Sequence, residues 1–355
     1  MTEFTDYVRA FLAFDFRNGK DWAEVADPEG QYPVYGSGGA FGHANHYLYD
    51  GEAVLFGRKG TLDRPLYVNE KFWTVDTMYY AIPKSGYDGE FLYYWAQTIP
   101  FDLISTQTAI PSMTSSDLGR QRVPYLALET QRRIADYLDK EISEMDAMID
   151  EFEGLVRELE TRKLLLPDSK INHQGASVPT VPAKLLTRIT TGDGDTQDAI
   201  EDGEFPFYVR SDTVRTSDEW TFEGPAVLTS GDGAGVGKIF HFAEGKFRAH
   251  QRVYVLRSFK GVDPKYFYWC FRNNFPRQVE HGGAKATVES VRMNMVADTP
   301  IPLPPLDEQR EIANELDREF ERMEALIEES TKLVEKLKAR KTALITEVVT
   351  GRKEV

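Results

Sequence analysis

One helix pattern, written twice, constrains this chain more than any other feature. Leu128-Glu129-Thr130-Gln131-Arg132-Arg133-Ile134-Ala135 returns as Leu306-Asp307-Glu308-Gln309-Arg310-Glu311-Ile312-Ala313, an offset of 178 in a chain of 355 residues. Apolar residues then recur in steps of four and three: Ile134, Leu138, Ile142, Met145, Ile149, Phe152, Val156 and Leu159 in the first copy. The second copy gives Ile312, Leu316, Phe320, Met323, Ile327, Ser330, Val334 and Leu337. Heptad spacing of this kind puts one narrow apolar seam on a long helix. A helix of about 35 residues would be roughly 50 Å long. Neither copy can bury its seam alone, so the simplest partner for each is the other, in a two-helix coiled coil. Identities outside the seam (Gln131/Gln309, Arg132/Arg310, Arg162/Arg340, Lys163/Lys341) favour duplication of a whole unit over two unrelated core helices.

The duplication extends upstream. Val8, Ala10, Leu12 and Gly19 match Val181, Ala183, Leu185 and Gly192; Pro33 and Tyr35 match Pro206 and Tyr208. Gly51-Glu52-Ala53-Val54-Leu55 matches Gly224-Pro225-Ala226-Val227-Leu228, Gly60 matches Gly233, and Trp95 matches Trp269. The offset drifts from 173 to 178, as small loop insertions would make it. The chain therefore reads as two copies of one unit, each a globular part followed by a long helix. Short apolar and aromatic runs bounded by Gly, Pro, Asn and Asp predict strands at Leu66–Val68, Phe72–Val75 and Arg252–Leu256. Leu92–Ala96 and Tyr266–Cys270 predict short buried helices. Pro124 precedes the first long helix, and Pro300, Pro302, Pro304 and Pro305 precede the second. Pro167 is expected to close the first, residues 167–180 to form a linker, and Gly351 to cap the second. The expected fold is α+β (mixed α/β): β-rich domains at 1–124 and 168–300, with helices at 125–167 and 301–355. The helices should lie antiparallel, because a pseudo-two-fold relation between the copies turns one against the other.

Composition narrows the function. A formal net charge of −15 argues against a protein that coats nucleic acid by bulk charge. It leaves room for local basic loops, or for a partner that carries the positive charge. Cys270 is the one cysteine, so no internal disulfide can form and a reducing cytoplasm fits. No run of 18 apolar residues suggests a membrane span, and no signal pattern opens the chain.

Several loops carry the donors and acceptors that a DNA reader needs, with Lys or Arg nearby for phosphate. In the first half these are Tyr35 and Ser37 in Tyr35-Gly36-Ser37-Gly38-Gly39, Arg58, Lys59 and Thr61 around Gly60, and Thr106, Gln107 and Thr108. In the second half they are Arg210 and Ser211, Lys238 after the glycine-rich run 231–237, Arg248, Gln251 and Arg252, and Lys285 and Thr287. Each loop alone could be an ordinary solvated turn. Their matched positions in two copies raise their interest. Catalytic patterns fail: a phosphate loop at 231–238 would need Gly where Asp232 stands and Ser or Thr where Ile239 stands. His43 and His46 lack further ligands for a metal and read as loop histidines. No Asn-Pro-Pro-Tyr-type adenine-methylation motif occurs.

The duplicated helix signature closely resembles the specificity subunit of type I restriction-modification systems. The residues that carry the resemblance most specifically are Pro302–Ala313 and Val348-Val349-Thr350-Gly351-Arg352. Gln31–Gly39, Leu55–Thr61 and Ser105–Met113 look like one class of the family's target recognition domain. The chain departs from the pattern at Leu165-Leu166-Pro167-Asp168, which replaces the usual Val-Thr-Gly ending, and in its short N-terminus. The resemblance implies a non-catalytic DNA-binding chain in which each globular half reads one part of a split double-stranded target. The paired helices would hold the readers apart and so set the spacer. It also implies two modification subunits as partners, which carry S-adenosylmethionine and methylate adenine. Restriction subunits would add translocation and cleavage using ATP and Mg. No cofactor or metal would be bound by this chain. The alternative is a coiled-coil dimerisation protein whose globular halves bind protein; its loops would need no Arg or Lys, and these loops contain them.

Overall fold

The structure is a computed structural model that describes residues 4–106, 108–172, 178–281 and 291–355. It divides into two units, one of Met1–Glu153 with Thr331–Val355 and one of Gly154–Ser330. Two 44-residue helices, Leu128–Ile171 and Leu306–Val349, each contribute to both units.

In the first unit, strands β1 (Tyr7–Arg9), β2 (Phe14–Asn18), β3 (Tyr32–Gly36), β4 (Gly39–Ala44), β5 (Tyr49–Gly57), β6 (Leu66–Thr74), β7 (Met78–Pro83) and β8 (Arg122–Pro124) alternate with short helices. These helices are α1 (Ala10–Ala13), α2 (Gly89–Ala96), α3 (Phe101–Ile104) and α4 (Ser115–Gly119), and the long helix is α5 (Leu128–Ile171). Six strands form one sheet in the order β2-β7-β5-β6-β3-β4; β1 pairs with β8. Only β3 and β6 are parallel among its neighbours. Side chains alternate across the sheet as a period of two requires. Val54 and Phe56 of β5 pack with Phe91, Leu92 and Trp95 of α2 and with Ile134, Leu138, Ile142 and Met145 of α5. Ala53 and Leu55 face the other way, into a core with Val68, Phe72, Met78 and Tyr80.

The second unit repeats the plan. Its strands are β9 (Thr180–Pro182), β10 (Arg188–Thr191), β11 (Phe205–Tyr208), β12 (Arg215–Ser217), β13 (Phe222–Glu223), β14 (Ala226–Ser230), β15 (Phe240–Ala243), β16 (Lys246–Ala249), β17 (Val253–Arg257) and β18 (Pro300–Pro302). Its helices are α6 (Ala183–Leu186), α7 (Pro264–His281), α8 (Met293–Ala297) and the start of α9 (Leu306–Val349). Here two four-stranded sheets, β10-β17-β14-β15 and β12-β11-β16-β13, replace the six-stranded one. The long β6 of the first copy pairs with both β5 and β3, whereas the second copy breaks this strand into β15 and β16. The break falls at Glu244-Gly245, and Gly245 adopts φ +70°, which a side chain would strain. Val227 packs with Tyr266, Phe267 and Phe271 of α7 and with Ile312, Leu316 and Phe320 of α9, as Val54 does in the first copy.

Within each unit α5 and α9 run antiparallel. In the first unit Lys341 reaches Asp146 and Lys338 reaches Glu153. In the second, Arg162 reaches Glu319 and Lys170 reaches Glu315. Partners on α9 fall in number as those on α5 rise. The apolar positions Ile134, Leu138, Ile142, Met145, Ile149 and Leu159 are buried on α5, as are Ile312, Leu316, Phe320, Met323 and Val334 on α9. Phe152, Val156, Ile327 and Leu337 are half-buried.

Four local expectations need correction. Pro167 lies inside α5, which continues to Ile171. The ladder bond lost at the proline is offset by packing: Leu166 and Ile171 join the second core, and Asp168 accepts hydrogen bonds from Asn172, Asn273 and Arg277. The helix expected at Tyr266–Cys270 is longer, Pro264–His281. Leu66–Val68 and Phe72–Thr74 belong to one strand, β6, which ends before Val75, and His43 sits on strand β4 rather than in a loop.

Candidate nucleic-acid interface

Corresponding loops meet at the same strand ends in both units. In the first, β3 ends at Gly36 and turns through Ser37, β5 ends at Gly57 and runs into Arg58-Lys59-Gly60-Thr61, and β7 begins after Asp76-Thr77. Backbone hydrogen bonds lock them: the Val75 N–H donates to Tyr35 O, the Arg58 N–H to Thr77 O and the Met113 N–H to Arg58 O. In the second, the His250 N–H donates to Tyr208 O, the Gly231 N–H to Arg252 O and the Val291 N–H to Gly231 O. The match places Ser37 with Arg210, Lys59 with Asp232, and Thr77 with Arg252.

The first surface is rich in hydroxyls. Arg58, Lys59 and Thr61 are exposed. The Gly60 N–H donates to Pro111 O, and Lys59 bridges to Ser112, so the 58–61 loop docks on the 105–113 loop. Thr106 Oγ1 lies 3.1 Å from Ser112 Oγ and accepts the Ser112 N–H, and Thr108 Oγ1 donates to Ile110 O at 2.8 Å. These hydroxyls shape their own loop, and Thr106 and Thr108 are exposed. Tyr35 is half-buried on β3, and its hydroxyl donates to Glu70 Oε1 at 2.6 Å. Burial, and then that bond, push its hydroxyl up to about 12. Gln107, Lys285 and Thr287 lie outside the described residues.

The second surface is an arginine-lined cleft of about 280 Å³, formed by Thr196, Arg210, Ser211, Arg215, Asp232 and His250 with the backbone of Gly233–Gly235. Arg210 Nη1 donates to Asp232 Oδ1 at 2.8 Å, and Arg252 Nη1 donates to Asp232 Oδ2. Burial alone would raise the Asp232 carboxyl, but hydrogen bonds from Arg252 and Arg210 hold it below the usual range. Buried His250 accepts the Arg252 N–H at Nδ1, which leaves its proton on Nε2, 3.4 Å from Thr196 Oγ1. Burial and the neighbouring Arg210 depress its basicity, so it is neutral at pH 7. Ser211 and Lys238 are exposed on the adjoining loops, and Gln251 Nε2 donates to Asp195 Oδ2 at 3.5 Å.

Arg248 is tied down by ion pairs within its own unit. It lies on β16 and its guanidinium donates to Glu219 and Asp198 at 2.8 and 3.0 Å, with its side chain 14% exposed. Arg248→Ala is expected to cost about 1–3 kcal/mol, because Asp198 then keeps only the Asp195 N–H; Arg210→Ala should cost about 0.5 kcal/mol, because Asp232 keeps Arg252. Chemical denaturation of the two variants measures the contrast. Among the described residues no cluster of His, Cys, Asp or Glu is placed to hold a metal.

Sequence reasoning missed Asp232, Thr196 and Arg215. Asp232 was visible as the residue that spoils a phosphate-loop pattern, but nothing in the spacing shows that two arginines converge on it.

Two copies of one loop scaffold, each beside a stretch of antiparallel helix pair, define an internally duplicated fold. The type I restriction modification DNA specificity domain matches the chain twice, at residues 15–149 and 189–336. The chain belongs to this family. It is 30% identical over 172 residues to the type I restriction enzyme EcoDI specificity subunit of Escherichia coli. That match covers 48% of the chain and 38% of the relative. A chain from a structure of type I R-M complex assembly and conformational transition superposes with a TM-score of 0.72 at 17% identity, covering 98% of both chains. The S subunit from M. genitalium superposes at 0.56 with 14% identity, covering 98% of this chain and 99% of that one. The HsdS subunit from Thermoanaerobacter tengcongensis gives 0.57 with 15% identity, covering 98% and 97%. At these identities the superpositions speak to the fold. Among the described residues no helix is long and apolar enough to cross a membrane.

Proposed function

We propose that this chain is the specificity subunit that directs a type I restriction-modification complex to a bipartite DNA target. The observation that carries this reading is the repeated loop scaffold: the same three loops, locked by the same backbone bonds, with different side chains at their tips. Such a design reads two different sequences with one geometry. Each unit reads one half-site, the α5–α9 pair sets the spacer, and two modification subunits dock on the chain. Those subunits supply S-adenosylmethionine and the adenine-methylating chemistry, and restriction subunits supply ATP-driven translocation and cleavage in the presence of Mg. The chain itself performs no catalysis, and the complex works in the cytoplasm.

The acidic balance fits a division of labour. With a net charge of −15, much of the phosphate grip falls to the modification subunits. The purified chain alone should therefore bind its target weakly, at micromolar Kd or above, and tighten by 100-fold or more (roughly 3 kcal/mol) in the complex. Fluorescence anisotropy on a labelled duplex reads this directly; nanomolar site-specific binding by the chain alone would overturn it. The reading as a whole is tested by exchanging residues 1–124 for another reader. One half of the methylated motif should change while the other half and the gap stay fixed.

A further inference from the structure

Two arginines distant in sequence, Arg210 on the loop after β11 and Arg252 just before β17, share one carboxylate. Asp232 is only 13% exposed, while the arginine side chains are 42% and 61% exposed. Asp232 is itself fixed: Ser230 Oγ donates to its carbonyl at 2.8 Å, and the preceding Gly231 N–H donates to Arg252 O. A guanidinium carries five N–H donors in a planar fork. Among the described residues each arginine commits one nitrogen to Asp232, so each keeps donors for a ligand. One carboxylate between two guanidiniums also leaves the cluster with a net positive charge.

We propose that Arg210 and Arg252, held in place by Asp232, read guanine in the half-site recognised by the second unit. This rests on the specificity-subunit reading above and goes beyond it by naming a base and the residues that read it. Guanine presents O6 and N7 side by side in the major groove, and a guanidinium fork matches both acceptors at once. A phosphate would also accept these donors in a fork, but a phosphate contact carries no sequence information, which is what the test below reads. Asp232 is a positioning residue: it fixes the two planes before DNA arrives and so spares the ordering that a free arginine would undergo. The corresponding residues of the first unit are Ser37, Lys59 and Thr77, which have no such clamp, so the effect belongs to one half-site only.

The test uses the full chain assembled with its modification subunits and maps the methylated motif for wild type, Arg210→Ala, Arg252→Ala, Arg210→Lys and Asp232→Asn. Arg210→Ala and Arg252→Ala should each make a guanine of one half-site degenerate, with cognate-over-mismatch discrimination at that position falling roughly 5- to 150-fold. Arg210→Lys should fail to restore the guanine, since a lysine lacks the fork. Asp232→Asn should relax the same positions to a smaller degree. The other half-site and the gap should be untouched, which shows that each variant is folded and assembled. A wild-type half-site with no guanine on either strand would overturn the proposal while leaving the specificity-subunit reading intact. So would a uniform fall in methylation with an unchanged motif, the mark of phosphate contact. A wild-type complex with no bipartite motif would overturn both.

Discussion

Gln131→Leu is expected to destabilise the first unit by roughly 3–5 kcal/mol, more than almost any change outside the apolar core. Gln131 is fully buried at the start of α5. Its Oε1 accepts the Asp88 N–H at 3.0 Å, and its Nε2 donates to Leu126 O at 2.8 Å and Gly86 O at 3.2 Å. Leucine fills the same volume but leaves the half-buried Asp88 N–H and the Leu126 and Gly86 carbonyls without this partner. Gln309 is the equivalent of Gln131 in the second copy, and it is also buried. It makes one bond fewer: it accepts the Asp263 N–H at 2.8 Å and donates to Pro304 O at 2.9 Å. Gln309→Leu should therefore cost less, roughly 2–3 kcal/mol. Glutamate at either site should be worse than leucine at neutral pH, because a buried carboxylate would face carbonyl oxygens. Thermal melts should show the order, with Gln131→Leu lowering Tm by on the order of 10 °C. Equal, small effects would show that the glutamines are incidental.

These glutamines belong to a repeated joint between globular part and helix. Asp88 caps α2 by accepting the Phe91 N–H, and Asp263 accepts the Tyr266 N–H at the start of α7. Arg132 and Arg310 lie 3.8 and 4.0 Å from the same two carboxylates. Asp139 accepts from the Tyr94 hydroxyl at 2.5 Å, and its counterpart Asp317 accepts from Trp269 Nε1 at 2.8 Å. The joint fixes each globular part on its long helix at several points.

Ile149→Glu is the second large effect. Ile149 is 7% exposed in the seam, and Asp146 and Glu153 lie three residues before and four after it on the same face. A new carboxylate would lose its water and meet like charge, at a cost on the order of 3–5 kcal/mol. Lys341 and Lys338, already paired with Asp146 and Glu153, are poorly placed to compensate. Ile149→Leu should cost less than about 1.5 kcal/mol, and Asp150→Ala at the neighbouring exposed site about 0.5 kcal/mol or less. In the complex, Ile149→Glu should abolish a fixed gap between half-sites. A gap that survived the substitution would count against the helix pair as the spacer.

The helices were the most legible part of the chain, because a heptad pattern repeated with its flanking Gln and Arg leaves few alternatives. Their ends were less so: Pro167 reads as a stop in any local rule, and only packing around Leu166, Asp168 and Ile171 carries the helix past it. The strands of the first copy were legible as runs, but the joining of Leu66–Val68 to Phe72–Val75 depends on pairing with β5 and β3, which is non-local. The loops were found by their residue types and matched positions. Which side chains face outward was not, since Arg248 and Arg252 look alike in sequence. One lies on a strand against Asp198 and Glu219, and the other stands at a strand end. The glutamines were noticed as identities, but their hydrogen bonds to Asp88 and Asp263 join residues 43 and 46 apart.

The most direct measurement is to co-express the chain with its modification subunit and map adenine methylation across a genome by single-molecule sequencing. Two short specific half-sites separated by a gap of one fixed length are the predicted result. Methylation at a continuous motif, at half-sites with a variable gap, or at no site despite a stable complex would contradict the reading of this chain as a two-reader ruler.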